Sequence, residues 1–225
     1  SKFPGKDAFR CSQQSYTYQE LAEQMNQLAH FLLQNGVQRG DRVGVYLNRC
    51  LESALAIYGI MQAGGVFVPL DPLAPIGRLK YLLGDCEIQW GIRQAAQARK
   101  LEQLITPDTS LAGIIGLQKA WSIPTYSWER IQATMPSTHP QVKVLEDDLA
   151  YIMYTSGTTG APKGIMHSHY SGLSYAKLSA ALYELTESDR VGNHAALHFD
   201  ISTFGYLATP LVGATTIICL LYTSP

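Results

Sequence analysis

The stretch Leu149-Ala-Tyr-Ile-Met-Tyr-Thr-Ser-Gly-Thr-Thr-Gly160-Ala-Pro-Lys-Gly164 joins an apolar run to a loop rich in glycine and hydroxyl side chains. The run from Leu149 to Tyr154 predicts a buried strand. Glycines in the following segment let the backbone turn tightly and come close to a ligand. We therefore expect the chemistry of this protein at the end of a buried strand.

The side chains of this loop suit phosphate oxygens. Hydroxyl groups add donors beside exposed backbone amides, and Lys163 supplies a mobile positive charge. A Walker P-loop needs four residues between its glycines and a Ser or Thr after its lysine, whereas Gly157 and Gly160 enclose two residues and Gly164 follows Lys163. A polyphosphate site of another kind is favoured over a plain surface turn.

Helices and strands alternate along the chain. A capping-box signature at Thr17 and Glu20 predicts the start of a helix that runs to Gly36. The predicted strands are 43–47, 66–70, 88–92, 112–117, 149–154, 190–195 and 215–220; the other predicted helices are 51–63, 78–83, 95–104, 171–185 and one opening near Asp200 or Ser202. This alternation predicts an α/β fold with mainly parallel sheets covered by helices.

A change of composition suggests how the chain is divided. Residues 134–148 are rich in Pro, Ser, Thr and acidic side chains, which is typical of a connector. We therefore predict an N-terminal α/β subdomain at 1–133, a connector at 134–148, and a segment at 149–225 that carries the loop and begins a substrate-binding half.

Composition argues against nucleic acid or membrane as partners. Seventeen basic and eighteen acidic residues leave a net charge of -1, so no basic surface is indicated. The four cysteines have no close pair and no His at metal-ligand spacing, which favours reduced cytoplasmic thiols over a disulfide scaffold or zinc site. Residues 201–225 carry no charge, but Thr, Gly and Pro interrupt the run, which favours a helix and a buried strand over a membrane span.

The loop resembles the signature of the adenylate-forming, or AMP-binding, superfamily, which includes acyl-CoA synthetases, luciferases and the adenylation domains of nonribosomal peptide synthetases. The match consists of Tyr154 to Gly160 followed by Pro162-Lys163-Gly164. Three further segments follow the family's order: Tyr16-Thr-Tyr-Gln-Glu-Leu21, Gln62-Ala-Gly-Gly-Val-Phe-Val-Pro-Leu-Asp-Pro72 and Phe199-Asp-Ile-Ser202. The resemblance implies the N-terminal portion of the family's large domain.

The resemblance also implies a reaction and its cofactors. In this family a carboxylate attacks the α-phosphate of ATP bound with Mg²⁺, pyrophosphate leaves, and the acyl-adenylate then usually passes to a thiol of coenzyme A or of a phosphopantetheine carrier protein. By resemblance, the residues that contact the ATP phosphates are Thr155, Ser156, Gly157, Thr158, Thr159, Gly160 and Lys163. No catalytic residue is assigned.

Asp200 bears on the class of acid, because peptide-synthetase adenylation domains carry an Asp in this block that pairs with the substrate's α-ammonium group. A carboxylate in a partly dry pocket favours an amino acid, since its charge would otherwise stay unpaired. The alternative is that Asp200 caps the helix that follows. The resemblance places Phe199 near the reacting carboxylate, although a core Phe is an equally good interpretation of this residue. It places Ile201 and Phe204 in the side-chain pocket, which favours a nonpolar or small amino acid.

His167 and His169 form an H-x-H pair without a third ligand at a convincing spacing, so packing is favoured over a metal site. The family's adenine-binding segment, ribose-binding acidic residue, hinge and C-terminal lysine do not occur in these 225 residues. We therefore expect an N-terminal fragment that is inactive alone. The leading hypothesis is amino-acid adenylation; the alternatives are an acyl- or aryl-CoA ligase and a non-catalytic nucleotide-binding remnant.

Overall fold

Two β-sheets organise this chain. The computed structural model describes residues 2–94, 102–105, 110–117, 122–155 and 162–219. Their strands are β1 (Asp7–Cys11), β2 (Gln14–Thr17), β3 (Arg42–Tyr46), β4 (Val66–Pro69), β5 (Trp90–Arg93), β6 (Gly113–Ile115), β7 (Thr125–Tyr126), β8 (Leu149–Thr155), β9 (Lys163–Ser168), β10 (Arg190–Asn193) and β11 (Thr215–Ile218). Their helices are α1 (Tyr18–Gln34), α2 (Leu51–Gln62), α3 (Ile76–Asp85), α4 (Trp128–Thr134), α5 (His169–Leu182) and α6 (Thr209–Leu211), the last continuing a π-helical turn at Phe204–Ala208.

The larger sheet has seven strands in the order β7-β6-β5-β3-β4-β8-β9. Its pairs are parallel except for the antiparallel pair β8 and β9. Every residue of β4 and β5 is buried. Along β4, Phe67 belongs to one apolar cluster while Val66 and Val68 belong to another, because successive side chains point to opposite faces. Both faces of this sheet are therefore covered, as expected for parallel strands.

Helix α1 begins and ends where the sequence predicts. The Thr17 hydroxyl accepts from the Glu20 amide at 3.2 Å, and the Thr17 amide donates to the Glu20 carboxylate at 2.8 Å, which completes the capping box. Gly36, just beyond the helix, has a φ of 86°, a left-handed conformation that glycine adopts without strain. The helix packs on α2 so closely that a Cβ at Gly59 would lie 2.6 Å from Leu28 Cδ2.

The smaller sheet has the order β10-β11-β1-β2. Its strands join the two ends of the described chain, because β1 pairs in parallel with β11 through Phe9 and Thr216. Neither sheet is confined to one of the predicted segments: β8 and β9 complete the larger sheet, and β1 and β2 complete the smaller one. The N-terminal hairpin thus closes against a strand from the C-terminal part of the chain.

The predicted fold class is confirmed, since both sheets are mainly parallel and both faces of the larger one are covered. Predicted elements lie within a few residues of the observed ones, but β1, β2, β7, β9 and α4 were not predicted. The predicted helix at 95–104 lies mostly outside the described residues. No helix within the described ranges is both long and apolar enough to cross a bilayer.

Candidate functional site

The hairpin of β8 and β9 holds both ends of the predicted phosphate-binding loop. Thr155 is the last residue of β8, Lys163 is the first residue of β9, and the two are partners across the antiparallel pair. Both are exposed. The other predicted loop residues, Ser156, Gly157, Thr158, Thr159 and Gly160, lie outside the described residues. The structure therefore places one hydroxyl and the predicted cation together at the end of a buried strand.

The Lys163 amine is not committed to a carboxylate. The salt bridges found in the described part of the chain all involve other side chains. An exposed ammonium on a flexible stem can move to meet an anion. Lys163 is therefore available for a phosphate group at the mouth of the hairpin.

A stack of three rings supports the hairpin from one face. The Phe67 and Tyr151 rings lie 5.1 Å apart at 20°, and the Tyr151 and His167 rings lie 4.4 Å apart at 12°. The stack thus links β4, β8 and β9 side by side. The pKa of Tyr151 is raised to about 12, mainly by burial, so its phenol stays neutral at physiological pH.

The predicted substrate residues form the turn between β10 and the π-helical turn. Phe199 and Ile201 are 57% and 62% exposed, and Asp200 is also exposed, whereas Phe204 is half-buried. The Asp200 carboxylate accepts the backbone N–H of Ile201 at 2.7 Å, and the Asp200 carbonyl accepts that of Thr203 at 2.9 Å. An N-cap side chain would instead accept from the second or third helical amide. The carboxylate thus remains open to a ligand.

Electrostatics connects this turn to the hairpin. Burial lowers the pKa of the His167 imidazole, and the negative charge of Asp200 opposes part of that shift. The same charge contributes to the raised pKa of Tyr151, after burial and Tyr175. Asp200 therefore lies within electrostatic range of two side chains on the strands that carry the ends of the loop.

An apolar groove of about 660 Å³ opens beside the substrate turn. Ile201 and Phe204 line this groove together with Leu178 on α5 and Tyr183 just beyond that helix, and the Phe204 and Tyr183 rings lie 5.3 Å apart. The predicted pocket residues Ile201 and Phe204 therefore lie on a concave surface that suits an apolar group. Phe199 does not line this groove and instead lies against His198, with ring centroids 4.3 Å apart.

The histidines of the H-x-H pair have separate surroundings. His167 stacks on Tyr151, whereas His169 opens α5 and its backbone N–H donates to the Asp148 carbonyl at 2.9 Å. Burial lowers the pKa of His169. Within the described residues, no three His, Cys, Asp or Glu side chains are grouped to hold a metal ion.

Sequence comparison agrees with this geometry. The model of the family described as AMP-binding enzyme matches residues 1–222. This chain belongs to the AMP-binding enzyme family. It is 33% identical over 217 residues to tyrocidine synthase 3 of Brevibacillus parabrevis, a match that covers 96% of this chain and 3% of that protein. It is 30% identical to an L-proline--[L-prolyl-carrier protein] ligase of Pseudomonas fluorescens, covering 98% of this chain and 43% of the ligase.

Solved structures of AMP-binding enzymes share the fold. The AMPPNP-bound form of the nonribosomal peptide synthetase FmoA3 superposes with a TM-score of 0.82 at 26% identity, covering 99% of this chain and 22% of that one. The anthranilate CoA ligase AuaEII in complex with anthranoyl-AMP gives a TM-score of 0.86 at 25% identity, covering 97% and 42% of the two chains. This chain thus spans less than half the length of these relatives and corresponds to the N-terminal part of the AMP-binding domain.

Several contacts near the predicted phosphate-binding loop were not identified from the sequence. The ring stack of Phe67, Tyr151 and His167 joins three strands, and Tyr154 reaches Asp85 on α3. The apolar alternation of β8 indicates burial but does not name the partners of its side chains. Only the register between strands distant in sequence reveals these contacts.

Proposed function

We propose that the protein containing this chain uses ATP to activate an amino acid as its adenylate, which then passes to the thiol of a phosphopantetheine carrier protein or of coenzyme A. The observation that carries this proposal is the position of Asp200. Its exposed carboxylate stands beside an apolar groove and close enough to the hairpin for its charge to act on His167 and Tyr151. A carboxylate placed there can pair with the α-ammonium group of an amino acid.

In the proposed reaction, a carboxylate oxygen of the amino acid attacks the α-phosphorus of ATP. A new oxygen–phosphorus bond forms, the bond from the α-phosphorus to the bridging oxygen breaks, and pyrophosphate leaves with that electron pair. Negative charge grows on the leaving group, so a cation at the mouth of the loop stabilises the transition state. Lys163 is exposed and free of carboxylate partners in the described part of the chain, which suits that role.

Mg²⁺ would reach this site with ATP. The described residues do not group three side chains that could hold the ion alone, so the phosphates of ATP would supply many of its contacts. Thr155 and the hydroxyls predicted to follow it would donate hydrogen bonds to phosphate oxygens. Ile201 and Phe204 would contact the substrate side chain, which favours a nonpolar amino acid.

Names of relatives support an amino-acid substrate. One relative is named as a ligase for L-proline and its carrier protein, and the structural neighbour VinN was solved with L-aspartate at 26% identity and a TM-score of 0.80. The cytoplasmic location expected from the cysteine pattern stays a prediction.

The test is ATP–pyrophosphate exchange by the natural protein that contains this chain, supplied in turn with proteinogenic amino acids, aryl acids and fatty acids. We expect exchange with one or a few amino acids, and Asp200→Asn to lower kcat/KM by about 100-fold, because an ammonium would lose its charged partner. Asp147→Asn, at another exposed Asp, is the matched control and should change nothing. Exchange that never depends on an amino acid would overturn the proposal.

A second candidate is an aryl- or acyl-CoA ligase, which the similarity to AuaEII favours. Exchange driven by aryl or fatty acids, with Asp200→Asn equal to the wild type, would establish it. A third candidate, predicted from the sequence, is a non-catalytic nucleotide-binding remnant. Two results together would favour that candidate. This chain would bind ATP in a way that Lys163→Ala abolishes, and the natural protein would show no ATP–pyrophosphate exchange.

A further inference from the structure

The base of the phosphate hairpin is tied to α3 by the side chain of Tyr154. This residue precedes Thr155 in β8 and faces Gly164 across the antiparallel pair. A Cβ built on Gly164 would lie 3.2 Å from Tyr154 Cζ and 3.0 Å from Ile152 Cγ2. Both distances are shorter than ordinary contacts between carbon atoms. Gly164 therefore leaves the space in which the Tyr154 ring crosses from β8 to β9.

The Tyr154 hydroxyl ends at the C-terminus of α3. It donates a hydrogen bond to the Asp85 carboxylate, and its oxygen lies 3.1 Å from Cys86 Sγ. A carboxylate can only accept, so the phenol proton points to Asp85 and the Cys86 thiol donates to the phenol oxygen. The hydroxyl thus donates to Asp85 and accepts from Cys86, two consecutive residues at the C-terminal end of α3.

These partners hold the phenol in one protonation state. Burial raises the pKa of Tyr154, and the hydrogen bond to Asp85 raises it further. Burial also raises the pKa of the Cys86 thiol, which keeps it a neutral donor. The contact is therefore constant across the physiological pH range.

We propose that Tyr154 is a positioning residue for the phosphate loop: its hydroxyl, held by Asp85 and Cys86, fixes the hairpin base so that Thr155 and Lys163 face the triphosphate. This inference rests on the proposed function, since the group to be positioned is the nucleotide. Fixing the ends of a loop before its ligand binds reduces the entropy lost on binding. The aromatic ring fills the strand pair, whereas the hydroxyl sets the direction of the hairpin relative to α3.

Tyr154→Phe separates these roles, because it keeps the ring over Gly164 and removes only the hydroxyl. We expect amide hydrogen exchange in peptides covering 149–155 and 163–168 of this chain to become about tenfold faster, as for loss of one charge-assisted hydrogen bond. Tyr81→Phe, at an exposed tyrosine of α3, is the matched control and should leave exchange unchanged. Asp85→Asn should reproduce part of the Tyr154→Phe effect, and the double variant should be no worse than Tyr154→Phe alone.

The second measurement is the affinity of this chain for ATP with Mg²⁺, taken well below the unfolding temperature. We expect Tyr154→Phe to weaken binding by about five- to tenfold, while a variant of equal stability loss elsewhere in the core leaves it unchanged. Unchanged exchange at the hairpin, or unchanged ATP affinity despite faster exchange, would overturn the positioning role. If the wild-type chain binds no ATP, phosphate binding by this chain fails, and the exchange arm alone still decides whether the hydroxyl fixes the hairpin.

Discussion

The two sheets differ in how much of their apolar surface is covered. In the larger sheet, β4 and β5 are buried along their whole length, and α2 buries most of its residues. In the smaller sheet, β10 buries only Asn193, and Leu178 and Leu182 of α5, which line the groove beside β10, are 70% and 71% exposed. A helix that is apolar around its circumference is normally buried. The centre of the larger sheet, which we call the finished region, is therefore covered by described residues, whereas β10 of the smaller sheet and the groove beside it, which we call the open region, are largely exposed.

This difference divides the candidate site. The hairpin of β8 and β9 belongs to the larger sheet, while Asp200, Ile201 and Phe204 follow β10 in the open region. Strand β8 should thus be rigid, whereas β9 at the edge of the larger sheet is largely exposed. The groove beside the predicted substrate residues is apolar and open, and enclosing it as a pocket requires additional surface.

The largest expected difference between the two regions is in the loss of stability when a Phe is replaced by Ala. Phe67→Ala removes a ring that is 1% exposed and stacked on Tyr151, so we expect a loss of about 3–5 kcal/mol in the free energy of unfolding. Phe199→Ala, in the open region, should change it by less than about 0.5 kcal/mol. Urea unfolding followed by circular dichroism measures both, and equal losses would contradict the distinction.

Two glycines probe the finished region at smaller scale. Gly59→Ala should lower the free energy of unfolding by about 1–3 kcal/mol, because the new Cβ would lie 2.9 Å from Leu28 Cβ and 2.6 Å from Leu28 Cδ2. Gly84→Ala, where a Cβ meets nothing within 4 Å, should stabilise α3 by up to about 1 kcal/mol. Thermal unfolding of both variants gives the comparison. A tolerated Gly59→Ala would mean that α1 and α2 are not closely packed.

Thr17 lies where the two regions meet, because β2 passes directly into α1 at this residue. Thr17→Ala removes the capping hydroxyl and should cost about 1 kcal/mol. Thr138→Ala, at an exposed threonine whose side chain makes no hydrogen bond in the described structure, is the control and should be neutral. Chemical denaturation of the two variants provides the measurement, and identical midpoints would show that the cap does not stabilise the junction.

The open face should respond least in stability and most in surface properties. Leu178→Ser should change the free energy of unfolding by no more than about 0.5 kcal/mol while lowering binding of the apolar dye 8-anilinonaphthalene-1-sulfonate. Fluorescence titration and urea unfolding on the same sample test both statements. A loss above about 2 kcal/mol would show that Leu178 is packed rather than exposed.

Local sequence signals predicted the elements whose causes are local. The capping box of α1 needs only Thr17 and Glu20, and the apolar runs of β4 and β8 announce burial by themselves. The Thr155 and Lys163 ends of the loop follow from the strand and motif. These features depend on residues within a few positions of one another.

Features that depend on distant partners could not be predicted in the same way. Strand β1 is stabilised by β11, about 200 residues later, as the Phe9 and Thr216 pair shows. Strand β9 is largely exposed, so its apolar Ile165 and Met166 do not give a clear two-residue period. The contact from Tyr154 to Asp85 arises only once α3 and β8 are adjacent. Register and element packing, rather than composition, decide all three.

The comparison of the two regions is tested most directly by native-state amide hydrogen exchange of this chain, resolved by peptide. We expect β3, β4, β5 and β8 to exchange only through global unfolding, whereas β10 and the C-terminal half of α5 exchange through local opening of much lower free energy. Equal protection of both regions would contradict the account, because it would mean that the smaller sheet is already complete without further covering surface.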